Sequence, residues 1–182
     1  KKLLKKEKNG EELKTENKTK KELNYVENIF YLSRENSIIV NTFYSQIINI
    51  FKCECNYESY SFEKLLDIPL LLPSKQKDID LLSLLKDHFK EEVIEWGTEC
   101  PKCKLKNQKH TKRSQFSMLP DVIIFSIQRF NPFLSKKSNV NVKFEEIIDL
   151  KDFCDMELLN YYNEINTKYN LFGTINHIGE IN

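Results

Sequence analysis

Two short cysteine pairs constrain this chain more than anything else in it: C-E-C at Cys53 and Cys55, and C-P-K-C at Cys100 and Cys103. Close thiol pairs on tight turns are the usual way a chain assembles a tetrahedral Zn²⁺ site. The two-residue spacer of C-P-K-C lets both sulfurs face one ion while backbone N–H groups soften their charge, whereas C-E-C has a single spacer and demands a tighter turn. A whole strand-plus-helix segment separates the pairs, so a shared ion would join two distant hairpins. Four protein ligands leave no open position for a hydrolytic water, and the expected cofactor is structural zinc. The alternative is four ordinary reduced cysteines. A disulfide framework is disfavoured, because the total of five cysteines is odd and the lysine-rich start lacks the apolar stretch of a secretion signal. The fifth, Cys154, sits in D-F-C-D and reads as a small buried hydrophobe.

Charge narrows the partners. Lys and Arg number 28 against 27 Asp and Glu, a net charge of +1 over 182 residues, which creates no global field toward nucleic acid or an anionic membrane. The cations around the second pair (Lys102, Lys104, Lys106, Lys109, Lys112, Arg113) suggest a nucleic-acid surface, but no base-stacking aromatics are interleaved with them and a solvated tip is the simpler reading. No apolar run approaches the roughly 18 residues of a membrane helix. An intracellular protein is expected, cytoplasmic and/or nuclear, with neither nucleic acid nor membrane as a partner.

Along the chain, 1–22 is almost wholly Lys, Glu, Asn, Thr and Leu and reads as a solvated helix or as disorder. The lysine-rich solvated segment or insertion is bounded at 1–34, and 35–182 is taken as the folded domain. Val26, Ile29 and Phe30 fit one helical turn against a core. β-Branched and aromatic residues predict strands over 47–53 and 59–62, a hairpin with the first cysteine pair at its tip. Asp78 is expected to cap a helix whose apolar face is Ile79, Leu82, Leu85, Phe89 and Val93. Val122, Ile123, Ile124, Phe125 and Ile127 predict a strand in the middle of the core over 121–130. Further strands are expected at 115–118, 140–144 and 170–178, with a partly helical or inserted stretch over 151–167. His88 is expected to be exposed, and His110 is a substitute candidate for the metal. His177 lies on the last apolar strand with no cysteine in a helix-start context to partner it. Together these elements make an α+β chain.

The runs FYSQIINIFKCECNYESYSF at 43–62, LDIPL at 66–70, CPKC, LPDVIIFSIQRF at 119–130, VKFEEIIDL at 142–150 and YNLFGTINHIG at 169–179 resemble, in the same order, landmarks of the ubiquitin-specific protease catalytic domain. The resemblance covers 39–182. It implies a papain-like cysteine protease hand fold, of which this chain carries the fingers and part of the palm, with an antiparallel sheet and a structural zinc site. Cys53, Cys55, Cys100 and Cys103 match the fingers ligands, Cys53 falling one residue off the usual position. The implied partners are ubiquitin and ubiquitinated proteins, and the implied activity is thiol-dependent hydrolysis of the isopeptide bond after ubiquitin's C-terminal glycine. The family's nucleophile box and its G-H-Y histidine find no counterpart here, and His177 matches an earlier histidine of that strand. The chain alone is therefore expected to be inactive. The alternative is a non-catalytic ubiquitin-binding pseudo-protease or zinc module.

Overall fold

The computed structural model of the protein describes residues 18–73, 77–95, 100–106, 109–131, 136–162 and 166–176. In chain order these form α1 (Lys20–Arg34), α2 (Ile38–Phe43), β1 (Ser45–Cys53), β2 (Glu58–Leu65), β3 (Ile68–Leu71), β4 (Asp78–Asp80), α3 (Leu81–His88), β5 (Glu92–Glu95) and β6 (Lys109–Met118). Then follow β7 (Phe125–Gln128), β8 (Phe130–Asn131), β9 (Lys136–Lys137), β10 (Asn141–Lys143), β11 (Ile147–Asp149), a 3₁₀ turn at Lys151–Phe153, α4 (Met156–Tyr161) and β12 (Lys168–Asn170). The class is α+β, as the sequence implies.

The spine is a four-stranded antiparallel sheet in the order β2-β1-β6-β5. β1 and β6 run its whole length, pairing Ile47 with Phe116 near one end and Cys53 with His110 at the other. Directly opposed residues share a face, so Ile47 and Phe116 project together into the apolar core. There they meet Phe89, the C-cap of α3, and Phe153; the Phe89 ring lies 4.9 Å from Phe116 and 5.5 Å from Phe153. Parallel pairs β3/β7 and β4/β10 and the antiparallel pair β11/β12 surround this core. An isolated bridge from Phe116 to Cys154 brings the 3₁₀ turn and α4 against the lower edge of β6.

The opposite face of the sheet is covered by α1 through polar groups. Thr19 caps α1 in a capping box with Glu22, and the helix buries Asn24 and Asn28, one turn apart. Asn24 Nδ2 donates to Gln46 Oε1 at 2.5 Å, and Ser117 Oγ donates to the same oxygen at 2.9 Å. Tyr44 and Tyr162 hydroxyls donate to Asn28 and Asn24 respectively, both at 2.8 Å. Burial pushes the Tyr44 phenol well above its usual range, so it remains a donor. At the rim, Lys20 Nζ lies 2.8 Å from carboxylate oxygens of both Asp155 and Glu157.

Several expectations are corrected. From Lys20 onward the segment bounded at 1–34 is a packed helix, and its buried face is Asn24/Asn28; Phe30 is 52% exposed, under the Arg34 guanidinium. The helix expected from Asp78 begins after Asp80, whose carboxylate accepts from both the N–H and the hydroxyl of Ser83. It ends at His88, which leaves Ile79 on β4 and Val93 on β5. The strand expected over 121–130 is broken into Phe125–Gln128, paired with β3, and Phe130, which opens β8. The chain leaving β6 first crosses to α2, where Val122 N–H donates to Thr42 O, and Ile124 remains 41% exposed. The centre of the core is Phe116 instead. Of the two readings of 151–167 the partly helical one holds: the 3₁₀ turn and α4 lie within it, and Leu158 and Leu159 of α4 are fully buried. The last described strand stops at Asn170, and His177 lies outside the described residues.

Candidate metal centre

Among the described residues, none of the apolar core lies at the far end of the sheet; the four paired cysteines converge there. Cys53 ends β1, and the chain turns through Glu54, Cys55 and Asn56 into β2. Asn56 N–H donates to Cys53 O at 2.8 Å, Cys53 N–H donates to Tyr57 O at 2.9 Å, and Asn56 adopts a positive φ of 62°. The second loop repeats this plan with one residue more. Lys104 N–H donates to Cys100 O at 2.9 Å, Cys100 N–H donates to Leu105 O at 3.1 Å, and Lys104, next after Cys103, has a φ of 59°. In each loop a left-handed residue directly after the second cysteine turns the chain back. C-E-C is thus a contracted version of the C-P-K-C turn. Asparagine tolerates the left-handed region far better than most residues, which suits the tighter of the two.

The result is a compact set of four sulfurs, all within 4.8 Å of one another. Cys53 Sγ is 3.9 Å from Cys103 Sγ, and Cys55 Sγ is 3.7 Å from Cys100 Sγ. Zn–S bonds of about 2.3 Å in a tetrahedron require sulfurs about 3.8 Å apart. The donor set fits a tetrahedral thiophilic ion in kind, number and spacing. Cys53 and Cys100 are buried, Cys55 and Cys103 half-buried.

The thiols are electrostatically unequal. The Cys103 N–H has the largest effect on Cys100; with the Lys102 N–H and the Cys103 and Cys53 thiols it brings Cys100 down to about 6 against the opposing effect of burial. The Cys55 N–H favours the Cys53 thiolate, but burial and the surrounding sulfurs outweigh it and push Cys53 up to about 12. Cys100 thus leans toward the thiolate while Cys53 and Cys103 lean toward the thiol, and a cation bound here displaces the protons they hold.

His110 stands opposite Cys53 in the sheet and is buried, but it is not one of the four converging ligands. His88, expected to be exposed, is half-buried edge-on to Phe89 at 4.9 Å. Cys154 is buried, with its thiol donating to Leu150 O at 3.1 Å, the packing role its sequence context suggests. The Asn24–Gln46–Ser117 network went unread in the sequence. Its only local signal is the Asn24/Asn28 spacing, which by itself also describes a solvated helix face.

A long antiparallel sheet with a four-thiol centre at its tip and an α/β core at its base defines a class, and comparison with known proteins identifies the family. The family model described as "Ubiquitin carboxyl-terminal hydrolase" matches residues 4–182, and the chain belongs to that family. Ubiquitin carboxyl-terminal hydrolase 21 of Homo sapiens is 31% identical over 161 residues, 83% of this chain and 27% of the relative. Ubiquitin carboxyl-terminal hydrolase 4 of Candida glabrata is 32% identical over 126 residues, 68% of this chain and 14% of the relative. Among solved structures, the SAGA Ubp8/Sgf11/Sus1/Sgf73 DUB module bound to ubiquitin aldehyde aligns with a TM-score of 0.58 at 19% identity, covering 73% of this chain and 31% of that one. The chain thus spans about a quarter or less of these two curated relatives and about a third of the solved one. No helix among the described residues is long and apolar enough to cross a membrane.

Proposed function

We propose that this chain supplies the fingers and part of the palm with which a thiol-dependent deubiquitinase holds ubiquitin, and that Cys53, Cys55, Cys100 and Cys103 bind one structural zinc. The observation that carries the reading is the convergence of these four sulfurs, 3.7 to 3.9 Å apart across the two loops, at the tip of the long sheet in a chain of this family. Zinc held by four thiolates supplies a mechanical link and no open coordination position. The loops it joins carry β1, β2, β5 and β6, so the sheet that meets ubiquitin depends on it for its shape. The solved relative bound to ubiquitin aldehyde supports ubiquitin as the partner, with ubiquitinated proteins as substrates of the whole enzyme. The reaction is attack of a thiolate on the isopeptide carbonyl after ubiquitin's C-terminal glycine, with a histidine as base and then acid.

In this reading the attacking thiol and its histidine come from outside the 182 residues. Four cysteines are gathered at the fingertip and Cys154 is sealed in the core beneath Leu150, so none is offered to a substrate. Reduced thiols fit a reducing compartment, cytoplasmic and/or nuclear, and neither nucleic acid nor membrane is proposed as a partner. The test combines metal analysis with calorimetric titration of ubiquitin before and after chelation. One zinc per chain and binding lost on chelation are expected; absence of metal refutes the centre, and absence of ubiquitin binding by the metal-loaded protein refutes the partner. The 182-residue chain should leave a fluorogenic ubiquitin substrate intact, and turnover by it would overturn the assignment of chemistry elsewhere.

A further inference from the structure

The sulfur contacts at the fingertip also permit chemistry other than metal binding. Two close contacts run between the loops, Cys53 with Cys103 at 3.9 Å and Cys55 with Cys100 at 3.7 Å, beside the contacts of Cys53 with Cys55 and of Cys100 with Cys103 inside them. Each joins one buried sulfur to one half-buried sulfur. An oxidant arriving from solvent therefore meets Cys103 and Cys55 first, and behind each stands a protected thiol of the other loop. This is the attacked-and-resolving arrangement by which reversible thiol oxidation ends in a disulfide and not in over-oxidation.

We infer that the four cysteines form a two-state fastener: reduced, they hold the metal, and under peroxide they close into two inter-loop disulfides, Cys53–Cys103 and Cys55–Cys100, that release it while keeping the loops together. The Cys103 sulfur attacks hydrogen peroxide, the O–O bond breaks, and Cys103 sulfenic acid and one water form. The Cys53 sulfur then attacks the sulfenic sulfur, the S–S bond forms, and the hydroxyl leaves as a second water. Per bridge, two thiols give up two electrons and two protons to one peroxide; sulfurs that start as thiolates draw those protons from solvent. Cys55 and Cys100 react in the same way. A disulfide needs the sulfurs at about 2.05 Å, so each pair must close by less than the width of an atom, at loop ends free of the packed core. The competing bridge within C-E-C spans a single residue and must break the turn set by the Asn56 N–H to Cys53 O bond. Inter-loop bridges also close long stretches of chain, which restricts the unfolded state more than a local bridge does.

The release half of this inference rests on the zinc reading; the bridging half does not. The experiment keeps the two apart. Metal-free protein is treated with hydrogen peroxide, alkylated and mapped by non-reducing peptide mass spectrometry, while zinc-loaded protein is treated identically in the presence of a chromogenic zinc indicator. The expected map contains Cys53–Cys103 and Cys55–Cys100 peptides, reversed by dithiothreitol, with Cys154 still alkylated. Zinc should appear in solution in step with the bridges. A Cys103→Ser variant should lose only the Cys53–Cys103 bridge. Bridges within the loops, or sulfinic acids on Cys55 and Cys103 with Cys53 and Cys100 left as thiols, would overturn the inference. Protein that never held zinc but gives the expected map would refute the zinc reading and leave the bridging intact.

Discussion

The two ends of one sheet are held by different physics. At the palm end β1 and β6 carry Ile47 and Phe116 into an apolar core and present Gln46 and Ser117 to a helix on the other face. Six positions further along the same strands, Cys53 and His110 pair where the four sulfurs of the two loops converge. The comparison teaches that this sheet is one element in topology and two in stability. A narrow projection cannot bury enough apolar surface to offset the entropy of ordering its chain, so its cohesion must come from a small number of strong bonds at the tip.

On the proposed zinc reading, removing the metal, by chelation or by Cys100→Ser, should therefore produce the largest effect and confine it to one end. Amide exchange at the β1/β2 tip, in β5 and in the upper half of β6 is expected to accelerate by orders of magnitude, in line with apparent zinc-binding energies of roughly 10–16 kcal/mol in small peptides. Protection at Ile47 and Phe116 should be little changed. Equal loss of protection at both ends would mean that the sheet is a single cooperative unit after all. Next in size is the converse test. Phe116→Ala should cost about 3–5 kcal/mol of global stability, read as a lowered urea midpoint, while zinc stoichiometry below the midpoint stays the same.

How much of this contrast was legible in the sequence follows from the same division. The fingertip was readable because its chemistry is local: a cysteine pair announces its own turn, and the β1/β2 hairpin falls where alternating and β-branched residues put it. The C-E-C contraction was harder, since the compensating left-handed Asn56 becomes apparent only with its hydrogen bonds in view. The palm end depends on distant partners and was read less well. The apolar run over 121–130 looks like a central strand by composition alone, yet Val122 is spent on a crossing to α2 and the pairing is split between Phe125–Gln128 and Phe130, on different partners. Asp78 and Asp80 are equally good caps on paper; Ser83, three residues after Asp80, decides between them. A helix docked through Asn24 and Asn28 inverts the rule by which periodic apolar residues mark the buried face.

That inversion gives the third test. Asn24→Ala removes one donor to Gln46 Oε1 and the acceptor of the Tyr162 hydroxyl, in a network where Gln46 Nε2 is already buried without a partner among the described residues. The expected cost is about 1–3 kcal/mol, seen as faster exchange in α1. Ser117→Ala removes the other donor to the same oxygen, so the double variant should deviate from additivity, as contacting residues do. Strict additivity would mean that Asn24 and Ser117 do not share Gln46.

The smallest expected effect separates the ends by pH. Burial is the main influence on His88 and lowers its pKa below 6.5, with Glu63 pulling it up and Lys112 pushing it further down. A base whose folded pKa lies below its unfolded one leaves the unfolded state holding more protons between the two values, so stability rises with pH across that window. The palm end should therefore lose stability as pH falls from 7.5 through 6.5 toward the folded pKa, and keep that loss below it. Glu157, held down by Lys20 and Lys21, and Asp80, held down by Ser83, titrate below 4.5 and 3.8 respectively and act only at lower pH. Exchange at Phe116 in metal-free protein, where no zinc–thiolate protonation intrudes, isolates the term. Wild type should exchange modestly faster at pH 5.5 than at 7.5 after correction for intrinsic rates, and His88→Gln should flatten the difference. An unchanged slope in His88→Gln would assign the dependence to another group.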